Sequence, residues 1–435
     1  MTTRNSLHVK LLCLSAAFVL AASVLASGAR AQAGRPVLTS TPSPTPTPTP
    51  DPAPQPTPKF VVAPNEDRYR LIYAPGWDGP LRPGEKDIDA VRHSRMNNFI
   101  AQLNEAGARG YRLLAIVNAW QPVAIVELDE VQHEYGWFET AAGARRNDIR
   151  IVYTRFKNLY AKQAAGGFRL TDHFVIERVC GFVNTGFLKV QEWCIFRDLY
   201  LLERRKGVER PRQFQLALSF PEGRSGRMSE ELTTDVRDGL AAGLRPAYAF
   251  SRFAILLEEP WGTRETSDGA ADFRVVAPLD RDFDDLEKAV NKLARQGYRI
   301  HLTNYGVAVM RRGAGDTTPA EYLWLDAKDK SFAKRLAAAQ EAGAVYRMTA
   351  QDDNRDETRL VFERPLTGDG RRRDYKVFRI ELQFVENVAE RKVSTGLSPQ
   401  TGEILKTVAA LLKEGYVVRD LFWSDVTHLL LERTQ

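Results

Sequence analysis

Six times along this chain a helix-like run stops at a glycine, and two short strands then lead to a charged pair. The phrase runs Leu103 to Gly110-Tyr111 and Glu127, Gly167-Phe168 to Glu203-Arg204, and Gly243 to Glu258-Glu259. It continues as Gly297-Tyr298 to Arg311-Arg312, Gly343 to Glu363-Arg364, and Gly415-Tyr416 to Glu432-Arg433. Successive closing pairs lie 76, 55, 53, 52 and 69 residues apart, so a unit of roughly 50 to 55 residues recurs with insertions. A chain built this way buries its core in shared modules rather than in one large interior.

Each module reads as β-α-β-β. The opening strand alternates: Phe378, Ile380, Leu382 and Phe384 fall on one side of the stretch Tyr375–Phe384, and Arg379, Glu381 and Gln383 on the other. Such a period of two predicts a strand with one wet face. Phe214, Leu216, Leu218 and Phe220 repeat the pattern, as do Phe273, Val275 and Ala277. A helix follows, opened by Ser398-Pro399 in the last unit and by the acids Asp280, Asp282, Asp284 and Asp285 in the fourth. Side-chain oxygens there accept from the unpaired first-turn amides. Leu286, Val290 and Leu293 then recur at helical spacing, and Gly297 supplies a cheap left-handed stop. Asn304-Tyr305-Gly306 reads as a hairpin turn. Closing strands such as Ala254-Ile-Leu-Leu257 and Leu429-Leu-Leu431 are apolar on both sides. This predicts a central strand covered on both faces, with the opening strand at an edge.

The pattern resembles a group of short bacterial domains of unknown function, marked by a Leu-rich helix, a Gly-aromatic turn and an apolar strand ending in Glu-Arg or Lys-Arg. The match is best over Tyr375–Arg433 and next best over Phe273–Arg312. The resemblance implies an α+β fold of about six tandem β-α-β-β units, helices on mainly antiparallel sheets, in two-layer sandwiches. It implies no chemistry. The units are expected at 61–131, 132–208 (with an inserted hairpin), 209–262, 263–316, 317–368 and 369–435.

Residues 1–33 have the parts of a secretory signal: Arg4 and Lys10 in a basic head, an apolar stretch from Leu11 to Ala26, and Ala31-Gln32-Ala33 as a small-residue exit. Sixteen apolar residues fall short of the ~20 that span a bilayer, so cleavage is expected rather than a retained anchor. Residues 34–60 form a Pro/Thr-rich linker in which proline takes every second place from Pro42 to Pro58. Such a run favours extended polyproline and is expected to be disordered, spanning roughly 60 Å. Removal of the signal takes the formal charge from +6 to +3, with 58 basic against 55 acidic residues. This near balance argues against nucleic acid as a partner.

An extracytoplasmic location (periplasm, cell surface or secreted) makes Cys180 and Cys194, the two cysteines beyond the signal, a candidate cross-strand disulfide around Asn184-Thr185-Gly186. No nucleophile elbow, zinc-protease motif or phosphate-cradling loop occurs. Asp352, Asn354, Asp356 and Glu363 have calcium-loop spacing, but Glu357 stands where that loop needs glycine, so a polar hairpin turn is the better reading. The five histidines beyond the signal, His93, His133, His173, His301 and His428, are scattered, and no metal or cofactor is expected. Trp137 and Trp324 recur at one repeat position and read as core. Trp120 and Trp423 near hairpin tips are the candidates for ligand stacking. Arg204-Arg205-Lys206 and Arg371-Arg372-Arg373 read as solvated connections between units.

These features point to a non-enzymatic binding scaffold of the cell envelope, with an envelope protein, a polymer or a small ligand as partner. The alternatives are an exported enzyme with a site between units, or a structural or stress-related envelope component.

Overall fold

The computed structural model describes residues 68–73, 88–117, 122–129, 131–145, 150–184, 190–219, 226–251, 253–260, 271–278, 283–313, 318–351, 357–367, 372–387, 392–424 and 426–434. Unit 1 comprises β1 (Tyr69–Tyr73), α1 (Ile88–Ala108), β2 (Tyr111–Val117) and β3 (Val123–Leu128). Unit 2 comprises β4 (His133–Arg145), α2 (Arg150–Ala165), β5 (Arg169–Asn184) and β6 (Val190–Arg205). Unit 3 has β7 (Phe214–Leu218), α3 (Gly226–Ala241), β8 (Arg245–Ser251) and β9 (Ala254–Glu258). Unit 4 has β10 (Asp272–Val276), α4 (Phe283–Ala294), β11 (Arg299–Asn304) and β12 (Val307–Arg312). Unit 5 has β13 (Ala320–Asp326), α5 (Phe332–Glu341), β14 (Val345–Gln351) and β15 (Thr358–Pro365). Unit 6 has β16 (Arg373–Ile380), a separate hairpin β17 (Leu382–Asn387) and β18 (Lys392–Leu397), then α6 (Pro399–Lys413), β19 (Val417–Trp423) and β20 (Thr427–Thr434).

Every unit has the same antiparallel sheet: the opening strand at one edge, the closing strand in the centre and the middle strand at the other edge, as in β1-β3-β2. The six glycines named from the sequence all have positive φ, from 65° to 92°. Three residues after each of them, the middle strand carries a bulge against the closing strand, at Leu113, Leu170, Pro246, Ile300, Tyr346 and Val418. The helix stop and the strand bend are therefore one local device, repeated in register.

The cores lie between units rather than within them. Helix α2 packs Phe156 and Tyr160 on Tyr200 and Leu202 of its own sheet and on Phe250, Ala254 and Leu256 of unit 3. Ile255 and Leu257, on the other face of that same β9, join α3 and Val275 and Val309 of unit 4. Each sheet is thus covered by its own helix on one side and by the preceding unit's helix on the other. This explains closing strands that are apolar on both faces. The last such core joins α6, Leu429 and Leu431 of unit 6 to Val123 and Ile125 of unit 1. Middle strands meet in the same circuit, β5 with β8, β8 with β11, β11 with β14, β14 with β19, and β19 with β2. The six units close into a ring.

Three expectations change. The opening strands do not have one wet face: in β16, Tyr375 and Val377 enter one core while Phe378 and Ile380 enter the next. The preceding helix supplies the second cover, which a single unit cannot reveal. The strand expected over Tyr375–Phe384 ends at Ile380, and its continuation pairs with β18 as a two-stranded ribbon. The units are also not self-filled sandwiches, because half of each interior comes from a neighbour.

Exposed sheet edges invite unwanted pairing, and the ring manages them by clasping. Asn104 of α1 makes a two-way hydrogen bond with the backbone of Tyr135 on the next opening strand, at 3.1 and 2.7 Å. Asn291 of α4 does the same with Tyr322, at 3.0 and 2.6 Å. Thr233 of α3 accepts from the Val275 amide at 3.0 Å, and Gln340 of α5 donates to the Tyr375 carbonyl at 3.1 Å. Helix α6 is capped by Ser398, whose hydroxyl accepts from the Thr401 amide at 3.1 Å, as the Ser-Pro signal predicts.

Candidate functional site

The bulge leaves a backbone N–H turned away from the ladder, and a buried amide must find an acceptor. Between units 1 and 2 the Leu113 amide donates to the Tyr135 hydroxyl at 2.7 Å, which donates to Glu203 at 3.2 Å. Between units 4 and 5 the Ile300 amide donates to Tyr322 at 2.8 Å, and Tyr322 donates to Glu363 at 3.0 Å. Between units 5 and 6 the Tyr346 amide donates to Tyr375 at 2.8 Å. At the seam that closes the ring, the Val418 amide and Glu127 both hydrogen-bond Tyr69. Burial and the Glu127 carboxylate push its hydroxyl up to about 12.

Each tyrosine sits on an opening strand directly opposite its glutamate on the closing strand, as Tyr135 faces Glu203 and Tyr322 faces Glu363. Glu203, Glu363 and Glu127 are therefore acceptors at their seams, whereas Tyr375 donates to the Ala344 carbonyl at 3.0 Å. Glu203, Glu258, Glu363 and Glu432 are deeply buried, Glu203 and Glu432 with no exposure, whereas Glu127 is partly exposed. Basic groups pair with two of them: Arg299 and Arg347 approach Glu363 at 2.9 and 2.8 Å, and Arg373 and Arg419 pair with Glu432.

At Glu203 the base is His133, whose Nδ1 lies 3.0 Å from the carboxylate while Nε2 lies 3.0 Å from Asp129; Arg169 adds a third contact at 2.7 Å. Burial alone would lower the His133 pKa, but hydrogen bonds to Asp129 and Glu203 outweigh it and raise the value. Burial would likewise raise Glu203, and His133 with Arg169 reverses this and lowers it.

In units 2, 4 and 6 the second residue of the closing pair makes another recurrent contact. Arg204, Arg312 and Arg433 each place the guanidinium 4.6 Å from the ring of Phe168, Tyr298 and Tyr416, the aromatics that follow the helix-stop glycines. Cation-π attraction thus joins the two ends of the sequence signature. The same arginines stand opposite an opening-strand acid, Glu134, Asp272 and Asp374 respectively. Unit 3 inverts the arrangement: Glu259 takes the arginine's place and pairs with Arg210 at 2.8 Å.

Two seams depart from the Tyr-Glu rule. In unit 3 the opening strand carries Phe214, and Tyr160 of α2 supplies the missing hydroxyl, accepting from the Leu170 amide at 3.0 Å and donating to Glu258. In unit 4 the strand carries Phe273 and the glutamate is replaced by Arg311, which face each other. There the bulge residue of unit 3 is Pro246, which has no N–H to satisfy.

The residues singled out from the sequence fall as follows. Glu363 is buried in the 4–5 seam, engaged by Tyr322, Arg299 and Arg347. Asp352, Asn354, Asp356 and Trp120 lie outside the described residues, as do Asp280 and Asp282. Trp423 ends β19, half-buried against the core that joins units 6 and 1. Trp324 is fully buried, whereas Trp137 is half-buried and donates to Asn97 at 3.0 Å. Backbone register sets Cys180 opposite Cys194 on the extended β5–β6 hairpin. Arg204 and Arg373 are parts of the seams rather than of solvated connections.

His173 is buried beside Asp198 (3.3 Å) and stacked on Tyr200. Tyr305 reaches it from the unit 4 hairpin tip, with its ring edge-on to His173 at 5.9 Å. Tyr305 holds a left-handed φ of 48°, and its amide donates to Gln351 of unit 5 at 2.7 Å, so one tip ties three units together.

An open groove of about 590 Å3 runs along α4, lined by Asp284, Glu287, Lys288, Asn291, Lys292 and Arg295. Among the described residues no group of three His, Cys, Asp or Glu side chains is arranged to hold a metal ion. No helix among them is long and apolar enough to cross a membrane. The titratable groups gathered at the seams bond one another, and the chemistry they support is joining units. Compared with known proteins, the chain matches no family model, no curated protein and no solved structure.

Proposed function

We propose that this chain is an exported, non-enzymatic scaffold whose ring displays a rigid surface to an envelope protein, a polymer or a small ligand. The observation that carries this reading is the use of the buried acids, bases and phenols. At the seams the glutamates are consumed in ion pairs and in bonds from the tyrosine hydroxyls that accept the bulge amides, which fixes geometry without freeing a nucleophile or a proton carrier. The leader and the Pro/Thr run support export and a spacer ahead of the folded part.

The β5–β6 hairpin extends unit 2 well past the length of the other sheets. A disulfide between Cys180 and Cys194 would pin it in an oxidising compartment.

The reading is tested by incubating the mature chain, from Gly34 onward, with isolated envelope material and identifying what is retained, with Trp120→Ala and Trp423→Ala as comparisons. A reproducible partner, lost in one tryptophan variant, supports it. Turnover of a substrate abolished by one point change would overturn it. Mass analysis without reductant reports the cysteine pair, and two alkylatable thiols in exported protein would refute the bond.

A further inference from the structure

We propose that the joint between the middle strands of units 5 and 6 closes around an uncharged Asp420, and that it loosens when this carboxyl group gives up its proton. Asp420 lies on β19, and the Tyr346 and Thr349 hydroxyls reach it from β14. Both hydroxyls meet the same oxygen, Oδ2, Thr349 at 2.8 Å, and they meet each other at 2.9 Å. The other oxygen, Oδ1, accepts from the Leu421 amide at 2.7 Å.

The number of protons decides the charge. Three oxygens in mutual contact make three hydrogen bonds, and each bond takes one proton. Tyr346 and Thr349 bring two. An ionised Asp420 would draw both to Oδ2 and leave the hydroxyl oxygens facing each other at 2.9 Å with no hydrogen between them. A protonated Asp420 supplies the third, so that each of the three oxygens donates once and accepts once.

The surroundings favour the neutral form. At Glu363 a tyrosine hydroxyl shares the acid with Arg299 and Arg347, and at Asp272 with Arg237. Among the described residues Asp420 has no such base: Arg347 of β14 is committed to Glu363 at 2.8 Å, and Arg419 of β19 to Glu432. The other strands packed on these two are β20, β15, β11 and β2. They bring His428, Arg359, His301 and Arg112, which lie against the Val426 carbonyl, Glu357, the Pro246 carbonyl and Asp129 respectively. Loss of hydration raises the Asp420 pKa above the usual carboxylate range, against the opposing pull of Tyr346, Thr349 and the Leu421 amide. A raised folded value gives stability that is complete below the unfolded value near 3.8 and is lost as pH rises through the folded value.

The test compares the full chain with Asp420→Asn and Thr349→Val by infrared spectroscopy in heavy water and by thermal melts from about pH 4 to about pH 7. At pH values where free aspartate is ionised, the parent should show a protonated-carboxyl C=O band that Asp420→Asn removes. Its melting temperature should fall relative to that of Asp420→Asn as pH rises. Thr349→Val leaves one contact and one hydroxyl proton to fill it, so it should ionise Asp420 and abolish the same band. It remains informative if Asp420→Asn fails to fold. Asp285→Asn, at a partly exposed acid on α4, should change neither readout. A carboxyl band unaltered in both joint variants, or a melting difference between parent and Asp420→Asn that stays constant with pH, would overturn the proposal.

Discussion

Tyr160 reaches Glu258 from a helix, whereas Tyr135 and Tyr322 reach Glu203 and Glu363 from strands. The phenol arrives from a different element yet does the same work, accepting one bulge amide and donating to one buried carboxylate. Where the strand lost its hydroxyl to Phe214, the helix restored it, and the two rings pack edge-on at 4.9 Å. What the seam retains is the satisfaction of the amide, not a residue at a fixed place in the repeat.

Tyr160→Phe should therefore destabilise the chain by about 1–3 kcal/mol, the usual cost of depriving a buried carboxylate of a donor, while the Leu170 amide keeps Glu258 as an acceptor at 3.1 Å. Tyr322→Phe should cost a similar amount, whereas Phe273→Tyr should not stabilise, because Pro246 offers no amide. Denaturant melts of the three variants check this. A neutral Tyr160→Phe would show that the hydrogen bonds to Leu170 and Glu258 add nothing.

The His133–Glu203 pair makes stability depend on pH in both directions. A raised histidine pKa contributes stability that is complete below the unfolded value near 6.5 and is lost as pH rises through the folded value. A lowered glutamate contributes stability that is present above its unfolded value near 4.5 and is lost as pH falls through the folded value. The pair should support the 1–2 seam best between those limits, from weakly acidic to near neutral. Melting temperature against pH should show a fall above this window that His133→Gln flattens; an unchanged slope would exclude the histidine.

Glycine substitutions should separate strain from collision. Gly415 has a φ of 92° with nothing near a prospective Cβ, so Gly415→Ala should cost only the left-handed penalty of about 1–2 kcal/mol. In Gly107→Ala the new carbon would lie 2.3 Å from the His133 carbonyl oxygen, which must move. The second variant should lose more, and by calorimetry should disturb the 1–2 seam where the first does not.

Unit 3 invites a charge exchange. Glu259→Arg would set an arginine beside Arg210, and the combined Glu259→Arg, Arg210→Glu variant should recover much of the loss. Both groups are partly exposed, so the coupling should be under about 1 kcal/mol in a double-mutant cycle. A coupling of zero would make the pair incidental.

The local grammar was readable: helix stops, turns, strand order and a central closing strand follow from glycine, capping and alternation signals that act over a few residues. What pairs across units was not. Glu363 fits a calcium spacing when read beside Asp352, Asn354 and Asp356, yet its side chain answers to Arg299, 64 residues away. His133 read as one of several scattered histidines. A signal did exist: an aromatic after the glycine and an arginine in the second place of the closing pair occur together in units 2, 4 and 6, as expected for two ends of one contact. The second cover on each sheet was invisible because alternation within a strand records that a face is buried, not which unit buries it.

The meeting of β19 with β2 has a consequence for how such a chain can vary. Linear arrays lengthen or shorten by whole modules because their terminal modules carry polar outer caps. Here the first and last modules serve as each other's cap, and the angle between neighbours is committed to a fixed copy number. Losing one module would open an apolar wedge on two flanks at once, so change in this architecture must come from hairpins grown out of individual blades, as in units 2 and 6.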